Sequence, residues 1–370
     1  MSLRDAIIAV AGPSFLGGCR AQDWLWLLKD NHFAVHPRYV LRALSISALS
    51  TLNSLLACYE NRRYGERIQS ATIEPPLFIL GHWRSGTTLL HNLLAVDTRF
   101  ACATLYEVLF PHTFLTTERL LSTLLAPLLP RKRLGDNVRL SFEMPYEDEF
   151  AICILSFRSP QLGSVFPIRE QHYERYLTLR GLSETEIAEW RAALTTFLKK
   201  LTLKHRRPLV LKSPAHTCRV PLLLEMFPEA RFVHIHRNPY AVFQSSRWTS
   251  MQSSRKQRLQ RRNSESFDDR VLRQYRQMYE LFFEERRLIA PGHFHEVGYE
   301  DLEKDPVREV RRLYETLQLP PFADVENAVR CYVDATAGYQ KNVFPELPLD
   351  LRERIAREWR PCFEEWNYPT

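Results

Sequence analysis

From about residue 75 onward, short apolar runs alternate with longer amphipathic stretches. Leu77-Phe78-Ile79-Leu80, Leu209-Val210-Leu211, Phe232-Val233-His234-Ile235 and Phe294-His295-Glu296-Val297 are each brief, and each is soon followed by a helix-like segment. Parallel strands need crossovers, which helices usually supply, and both sheet faces are then covered. The alternation therefore predicts a three-layer α/β/α fold with a central parallel sheet. Between the first two runs lies a long, mostly helical insertion. Its clearest element has Ile187, Trp190, Leu194, Phe197, Leu198 and Leu201 at helical spacing, preceded by a capping Ser183 with Thr185 and Glu186 in the first turn.

Ahead of the first run, Leu49, Leu52, Leu56 and Tyr59 also recur at helical spacing, inside a stretch without charges from Ala43 to Tyr59. Its serines, Thr51 and Asn53 make it too polar for a bilayer span. Two readings stay open. One is a helix packed on the core; the other joins it to Trp24, Leu25, Trp26, Leu27 and Leu28 as an interfacial membrane surface. The apolar stretch Ala6–Ala11 is too short for a signal-peptide core. The expected layout is a helical extension over 1–74, an α/β domain over 75–345 with a helical substrate-side insertion at 113–205, and a helical tail over 346–370. Residues Gln252 to Asn263 read as a mobile basic loop carrying Arg255, Lys256, Arg258, Arg261 and Arg262.

Composition narrows the class without naming an activity. A chain of 370 residues, 45% hydrophobic and 25% charged, is globular rather than disordered or fibrous. The net charge of +7 favours anionic partners. Lysine is scarce, so Lys212 at the end of an apolar run is unusual. Seven scattered cysteines with no Cys-x-x-Cys pair argue against a disulfide framework or a zinc site, and for a reducing, cytoplasmic setting.

The chemistry begins where the first strand enters Gly81-His82-Trp83-Arg84-Ser85-Gly86-Thr87-Thr88 and then a helix. The two glycines permit a tight turn, and successive N–H groups can cradle an anion at the helix N-terminus. The glycine spacing is that of a Walker A loop, as in P-loop nucleotide kinases. Thr87 stands where such a loop needs Lys, and the cation has moved to Arg84. The strand 231–236 ends in Arg237, where a magnesium-dependent P-loop enzyme would carry Asp, so no metal ligand is expected. Arg237 and Ser245 form a candidate second phosphate clamp. Two anion sites without a metal imply a nucleotide with phosphate at both ends.

Together these motifs resemble the sulfotransferases that use 3′-phosphoadenosine 5′-phosphosulfate (PAPS), in the bacterial branch related to tyrosylprotein and carbohydrate sulfotransferases. The resemblance runs over about residues 75–345. It implies that Arg84, Ser85, Gly86, Thr87 and Thr88 hold the 5′-phosphosulfate, and that Arg237 and Ser245 hold the 3′-phosphate. It further implies that Tyr299 lies beside the adenine, that Lys341 belongs to a late basic loop, and that Lys212 neutralises the bridging oxygen during transfer. Glu107 falls near the family's catalytic glutamate, and apolar neighbours would raise its pKa. Glu147, Glu149 and His216 are further candidates on the acceptor side. His234 and His236 share a strand face but have no acid nearby in sequence, which speaks against a metal.

The resulting expectation is transfer of a sulfuryl group from PAPS to a hydroxyl or amine of a small-molecule, lipid, glycan or peptide acceptor. No nucleic acid is expected, and membrane contact would run through the N-terminal helices. A P-loop kinase with an altered loop and a non-catalytic nucleotide- or polyanion-binding module are the alternatives.

Overall fold

A computed structural model describes residues 14–130, 138–261 and 267–370. Its centre is a wholly parallel five-stranded sheet in the order β2-β3-β1-β4-β5, made of β1 (Leu77–Leu80), β2 (Ala101–Cys102), β3 (Leu209–Lys212), β4 (Arg231–His236) and β5 (Phe294–Gly298). All four residues of β1 are buried, as a strand covered on both faces requires. Side chains alternate between the faces. Phe78 and Leu80 join one core, with Trp190 and Phe232, while Leu77 and Ile79 join another with Leu90 and Val233. Four strands coincide with the apolar runs. The fifth, β2, has two residues, too few to show any periodicity.

The helices that position the site are α1 (Ala21–Asp30), α2 (Val40–Ser70), α3 (Thr87–Ala95), α4 (Leu105–Leu109), α5 (Phe114–Leu125), α6 (Glu149–Ser156), α7 (Glu184–His205), α8 (Pro239–Gln257) and α9 (Phe267–Glu285). The Ser183 hydroxyl accepts from the Glu186 N–H and the Glu186 carboxylate accepts from the Ser183 N–H, closing the capping box that starts α7. Phe15, Leu16, Trp24 and Leu27 near one end and Trp359, Phe363 and Trp366 near the other belong to the same core as Phe78 and Leu80.

Register then sets the site. Ile79 pairs with Lys212 and Leu80 with His234, so the C-terminal ends of β1, β3 and β4 emerge side by side. In open α/β sheets that edge is where ligands bind.

Two expectations are corrected. Gln252–Gln257, read as loop, is the end of α8, while Arg262 and Asn263 lie outside the described residues, as does Ala6–Ala11. The second concerns α2. With the preceding turn it forms a helical run, Pro37–Ser70, that is long and apolar enough by length and composition to cross a membrane, although the sequence reads as too polar. Its inward residues are Arg42, Ile46, Ser50, Asn53 and Glu60, whereas Leu52 and Tyr59 of the expected packing face point outward. The inward polar groups are paired. Arg42 donates to the Arg258 carbonyl at 2.7 Å, Asn53 to the Gly17 carbonyl at 2.5 Å, and Glu60 meets Lys200 at 2.5 Å.

Candidate active site

The loop between β1 and α3 has a backbone that few residues tolerate. Gly81 sits at φ +138° and Gly86 at φ +105°. A Cβ on Gly86 would stand 2.4 Å from Cδ2 of Tyr299, and one on Gly81 would stand 2.5 Å from the Ile235 carbonyl oxygen. Arg84 adopts φ 74° without being glycine. Such a conformation persists only where neighbours hold it. Here Arg237 Nη1 donates to the Arg84 carbonyl at 3.2 Å, and Arg84 Nε donates to Ser245 Oγ at 2.9 Å. The expected Arg237–Ser245 clamp is thus joined through Arg84, which links the two anion motifs.

Other loop groups are also held. The Gly81 N–H donates to Thr217 Oγ1 at 2.8 Å, and the hydroxyl of buried Ser85 donates to the His82 carbonyl at 2.8 Å. Gly86 caps α3, so the N-terminus of that helix opens into the loop. Tyr299 lies under Arg237, whose guanidinium carbon is 4.1 Å from the ring centroid. Its hydroxyl donates to Glu303 at 2.7 Å, and Glu303 meets Lys341 at 2.8 Å. Lys341 therefore joins the same corner through Glu303. Burial alone would raise the Glu303 carboxyl, but Lys341 and Tyr299 outweigh it and hold it below the ordinary range.

A cavity of about 440 Å³ opens beside the loop, lined among others by His82, Trp83, Arg84, Thr87, Thr88 and Glu147. Burial drives the His82 imidazole down to about 4, so this ring is neutral near pH 7. The lining of the cavity is mixed: Leu140, Tyr146, Phe150, Pro167 and Val271 are apolar, beside charged Glu170, Glu174, Arg258 and Arg270.

The acidic run before α6 meets the segment after β3 in register: Lys212 Nζ lies 2.8 Å from Glu147, His216 Nε2 3.2 Å from Asp148, and Arg219 Nη1 2.7 Å from Glu149. Only the first pair reaches the cavity, through Glu147. Glu149 and His216 are fully buried and do not line it, which corrects their expected place on the acceptor wall. Each is held by side chains from elsewhere in the chain, Glu149 by Ser159 as well as Arg219.

Glu107 departs most from expectation. It sits in α4 as the third residue of a capping box, its Oε2 accepting the Thr104 N–H at 2.7 Å. Its Oε1 takes Lys204 and His205, both at 2.7 Å. Burial would raise this carboxyl, but the His205 hydrogen bond and the Lys204 ammonium more than offset it, so its pKa is lowered rather than raised. Glu107 does not line the cavity.

His234 does have an acid: Glu296 on β5 accepts at 2.8 Å, a partner hidden from sequence by lying 62 positions further along. Among the described residues no group of three His, Cys, Asp or Glu side chains is placed to hold a metal. Sequence reasoning missed His82 and Trp83, although both lie inside the loop it singled out. It also missed His91, one turn into α3, whose imidazole is held well down by burial and then by the Lys212 charge.

Comparison with known proteins agrees with this geometry. The model of the sulfotransferase family matches residues 75–324. The chain is 37% identical over 359 residues, 97% of its length and 92% of the relative's, to the omega-hydroxy-beta-dihydromenaquinone-9 sulfotransferase Stf3 of Mycobacterium bovis, and equally to that of Mycobacterium tuberculosis. Two solved structures share the fold. Sulfotransferase STF1 from Mycobacterium tuberculosis H37Rv has a TM-score of 0.67 at 18% identity, covering 92% of each chain. Sulfotransferase STF9 from Mycobacterium avium has a TM-score of 0.69 at 21% identity, covering 90% of this chain and 86% of its own. A loop with Arg84 in place of the nucleotidase lysine, Arg237 where a metal-binding aspartate would stand, and a family match across the whole sheet lead to one conclusion: the chain belongs to the sulfotransferase family and is a transferase enzyme.

Proposed function

We propose that this sulfotransferase takes its sulfuryl group from PAPS and delivers it to a hydroxyl at the end of a long apolar acceptor. The observation that carries the reading is the Lys212–Glu147 pair, 2.8 Å apart, with Glu147 on the wall of the cavity that Arg84, Thr87 and Thr88 also line. The donor set fits the nucleotide. Arg84 and the N-terminus of α3 suit the 5′-phosphosulfate, Arg237 with Ser245 suits the 3′-phosphate, and Tyr299, backed by Glu303 and Lys341, borders the base. When bound, PAPS supplies an activated sulfuryl group and a stable leaving group, adenosine 3′,5′-bisphosphate.

The residues then divide the work. Glu147 accepts the proton of the acceptor hydroxyl as the new oxygen–sulfur bond forms. Lys212, released from Glu147 once that carboxyl is protonated, neutralises the bridging oxygen whose bond to sulfur breaks. Arg84 and the loop N–H groups hold the sulfuryl oxygens in line. Glu147 replaces Glu107 as the proposed base because it reaches the cavity, whereas Glu107 is committed to a helix cap and two cationic partners. Glu149 and His216 are proposed to hold this segment in place.

Support for the acceptor class comes from the relative, named for a hydroxylated dihydromenaquinone, together with the apolar side chains of Leu140, Tyr146, Phe150, Pro167 and Val271 in the cavity lining. The reading includes a cytoplasmic enzyme working at the membrane surface, in keeping with seven free thiols. The test is mass spectrometry of acceptors incubated with PAPS: hydroxylated polyprenyl lipids, a glycan, a tyrosine peptide and a simple phenol. Sulfation of the lipid hydroxyl well above the others is expected; turnover confined to the peptide or glycan would overturn the acceptor class.

A further inference from the structure

Helix α2 is built inside out for a helix on the surface of a globular protein. Polar Arg42, Ser50, Asn53 and Glu60 turn inward and are paired there, while Leu41, Leu44, Ala48, Leu52, Leu55 and Tyr59 line the outer face. Leu44 is 59% exposed and Leu55 69%. The steps of three and four residues keep this stripe on one side for roughly 27 Å at the helical rise. Alongside, α5 is tied to α2 by the Thr116 N–H and hydroxyl on Glu60. One and two turns beyond Thr116 it adds Leu120 and Leu124, exposed by 66% and 61%. A monomer rarely leaves an apolar stripe of this length to water.

Charge identifies the occupant. Exposed Arg38 precedes the stripe, and exposed Arg62 and Arg63 follow it. From Asn31 to Gly65 the chain holds one acidic residue, Glu60, and that carboxylate is buried against Lys200. A second copy laid on this face in either direction would set arginines against arginines. A surface of anionic lipid headgroups over an apolar interior matches both the stripe and its ends. Crossing the bilayer is excluded by the inward bonds of Arg42, Asn53 and Glu60, which fasten the opposite side of the same helix to the protein.

We infer that the outer face of α2, with Leu120 and Leu124 of α5, is a docking surface for an anionic lipid bilayer, the helix lying along the interface. The surface also leads to the active site. Arg42 donates to the Arg258 carbonyl, His36 donates its N–H to the Leu259 carbonyl at 2.9 Å, and Arg258 lines the cavity. Exposed Ile168 adjoins Pro167 of the same wall. A lipid acceptor would thus meet the cavity from the membrane side. This deepens the lipid-acceptor reading, but docking is measured without any acceptor, so the two fail separately.

The experiment is vesicle flotation of the full chain, with no donor or acceptor, on phosphatidylcholine vesicles and on vesicles that also contain phosphatidylglycerol. The wild type should float with the anionic vesicles and release as salt is raised. Leu44→Glu/Leu55→Glu should bind at least about tenfold less, because both charges would enter the apolar layer. Arg62→Glu/Arg63→Glu, which leaves the stripe intact, should lose only the increment due to phosphatidylglycerol. Both variants should turn over a detergent-solubilised acceptor within about twofold of wild type, since neither pair touches the cavity. The inference is overturned if the wild type does not float on anionic vesicles, if both variants bind as wild type does, or if sedimentation velocity finds a dimer that Leu44→Glu/Leu55→Glu dissolves.

Discussion

Replacing Glu107 with Gln separates a structural carboxylate from a catalytic one. The change keeps the size of the side chain, and the amide oxygen can still accept the Thr104 N–H, so the cap survives. What goes is the negative charge that meets Lys204 and His205, both at 2.7 Å, at a fully buried position. Breaking a buried pair costs about 3–5 kcal/mol when the remaining charge is stranded. Lys204 is not stranded, because its side chain is 28% exposed and retains Glu118. The cost should therefore fall to about 2–3 kcal/mol, in line with one charged hydrogen bond. For a chain of this length the unfolding entropy scales to roughly 0.8 kcal/mol per degree, so the melting temperature should drop by about 3 °C. The pH dependence carries a sign. The folded pKa of Glu107 is lowered, so its contribution is present above the unfolded value of about 4.3 and fades as pH falls through the lower folded value. Glu107→Gln should accordingly flatten the acid limb of stability. Turnover, measured below the melting transition with donor and acceptor saturating, should remain within a few fold of wild type, whereas Glu147→Gln, assayed below its own melting transition, should lose about a hundredfold or more. The reasoning is refuted if Glu107→Gln melts as wild type but is catalytically dead.

Three further outcomes follow from the same geometry. Lys212→Ala should lower kcat by about two orders of magnitude while donor affinity changes little, as expected of a group that acts on the bridging oxygen; equilibrium dialysis beside single-turnover rates checks this. Arg237→Ala should cost about 1.5–3 kcal/mol of binding, roughly ten- to a hundredfold, for adenosine 3′,5′-bisphosphate but not for AMP, as titration calorimetry of both ligands would show. Gly86→Ala should disable the loop, because the new methyl would fall 2.4 Å from Tyr299 at a φ of +105°. Trimming the ring with Tyr299→Ala should restore only part of the lost activity, since the backbone strain remains.

Much of the candidate site was legible because it is local. Arg84-Ser85-Gly86-Thr87-Thr88 is a contiguous run whose proposed role depends on backbone turning and neighbouring N–H groups, and these follow from residue order alone. Lys212 and Arg237 were legible as charges ending apolar runs, and a parallel sheet brings strand ends to one edge whatever the details of its loops. The proposed base was not legible in that way. Glu107 and Glu147 both stand near apolar residues in sequence, and their fates diverge only because α7 brings Lys204 and His205 to one, while β3 brings Lys212 to the other.

The sequence by itself determined four of the five strands, the glycine-flanked loop that follows the first of them, the placement of Arg237 where a metal-binding carboxylate would stand, and hence the class of chemistry. Those features rest on spacings of a few residues, where stereochemistry leaves little choice. Only the tertiary structure decided which face of α2 is inside. Periodicity marks a stripe but not its direction, and here the partners that draw Arg42, Asn53 and Glu60 inward are Arg258, Gly17 and Lys200, distant in sequence. The same holds for the zipper of Glu147, Asp148 and Glu149 on Lys212, His216 and Arg219, since a buried charge is tolerated only where folding delivers its counterpart.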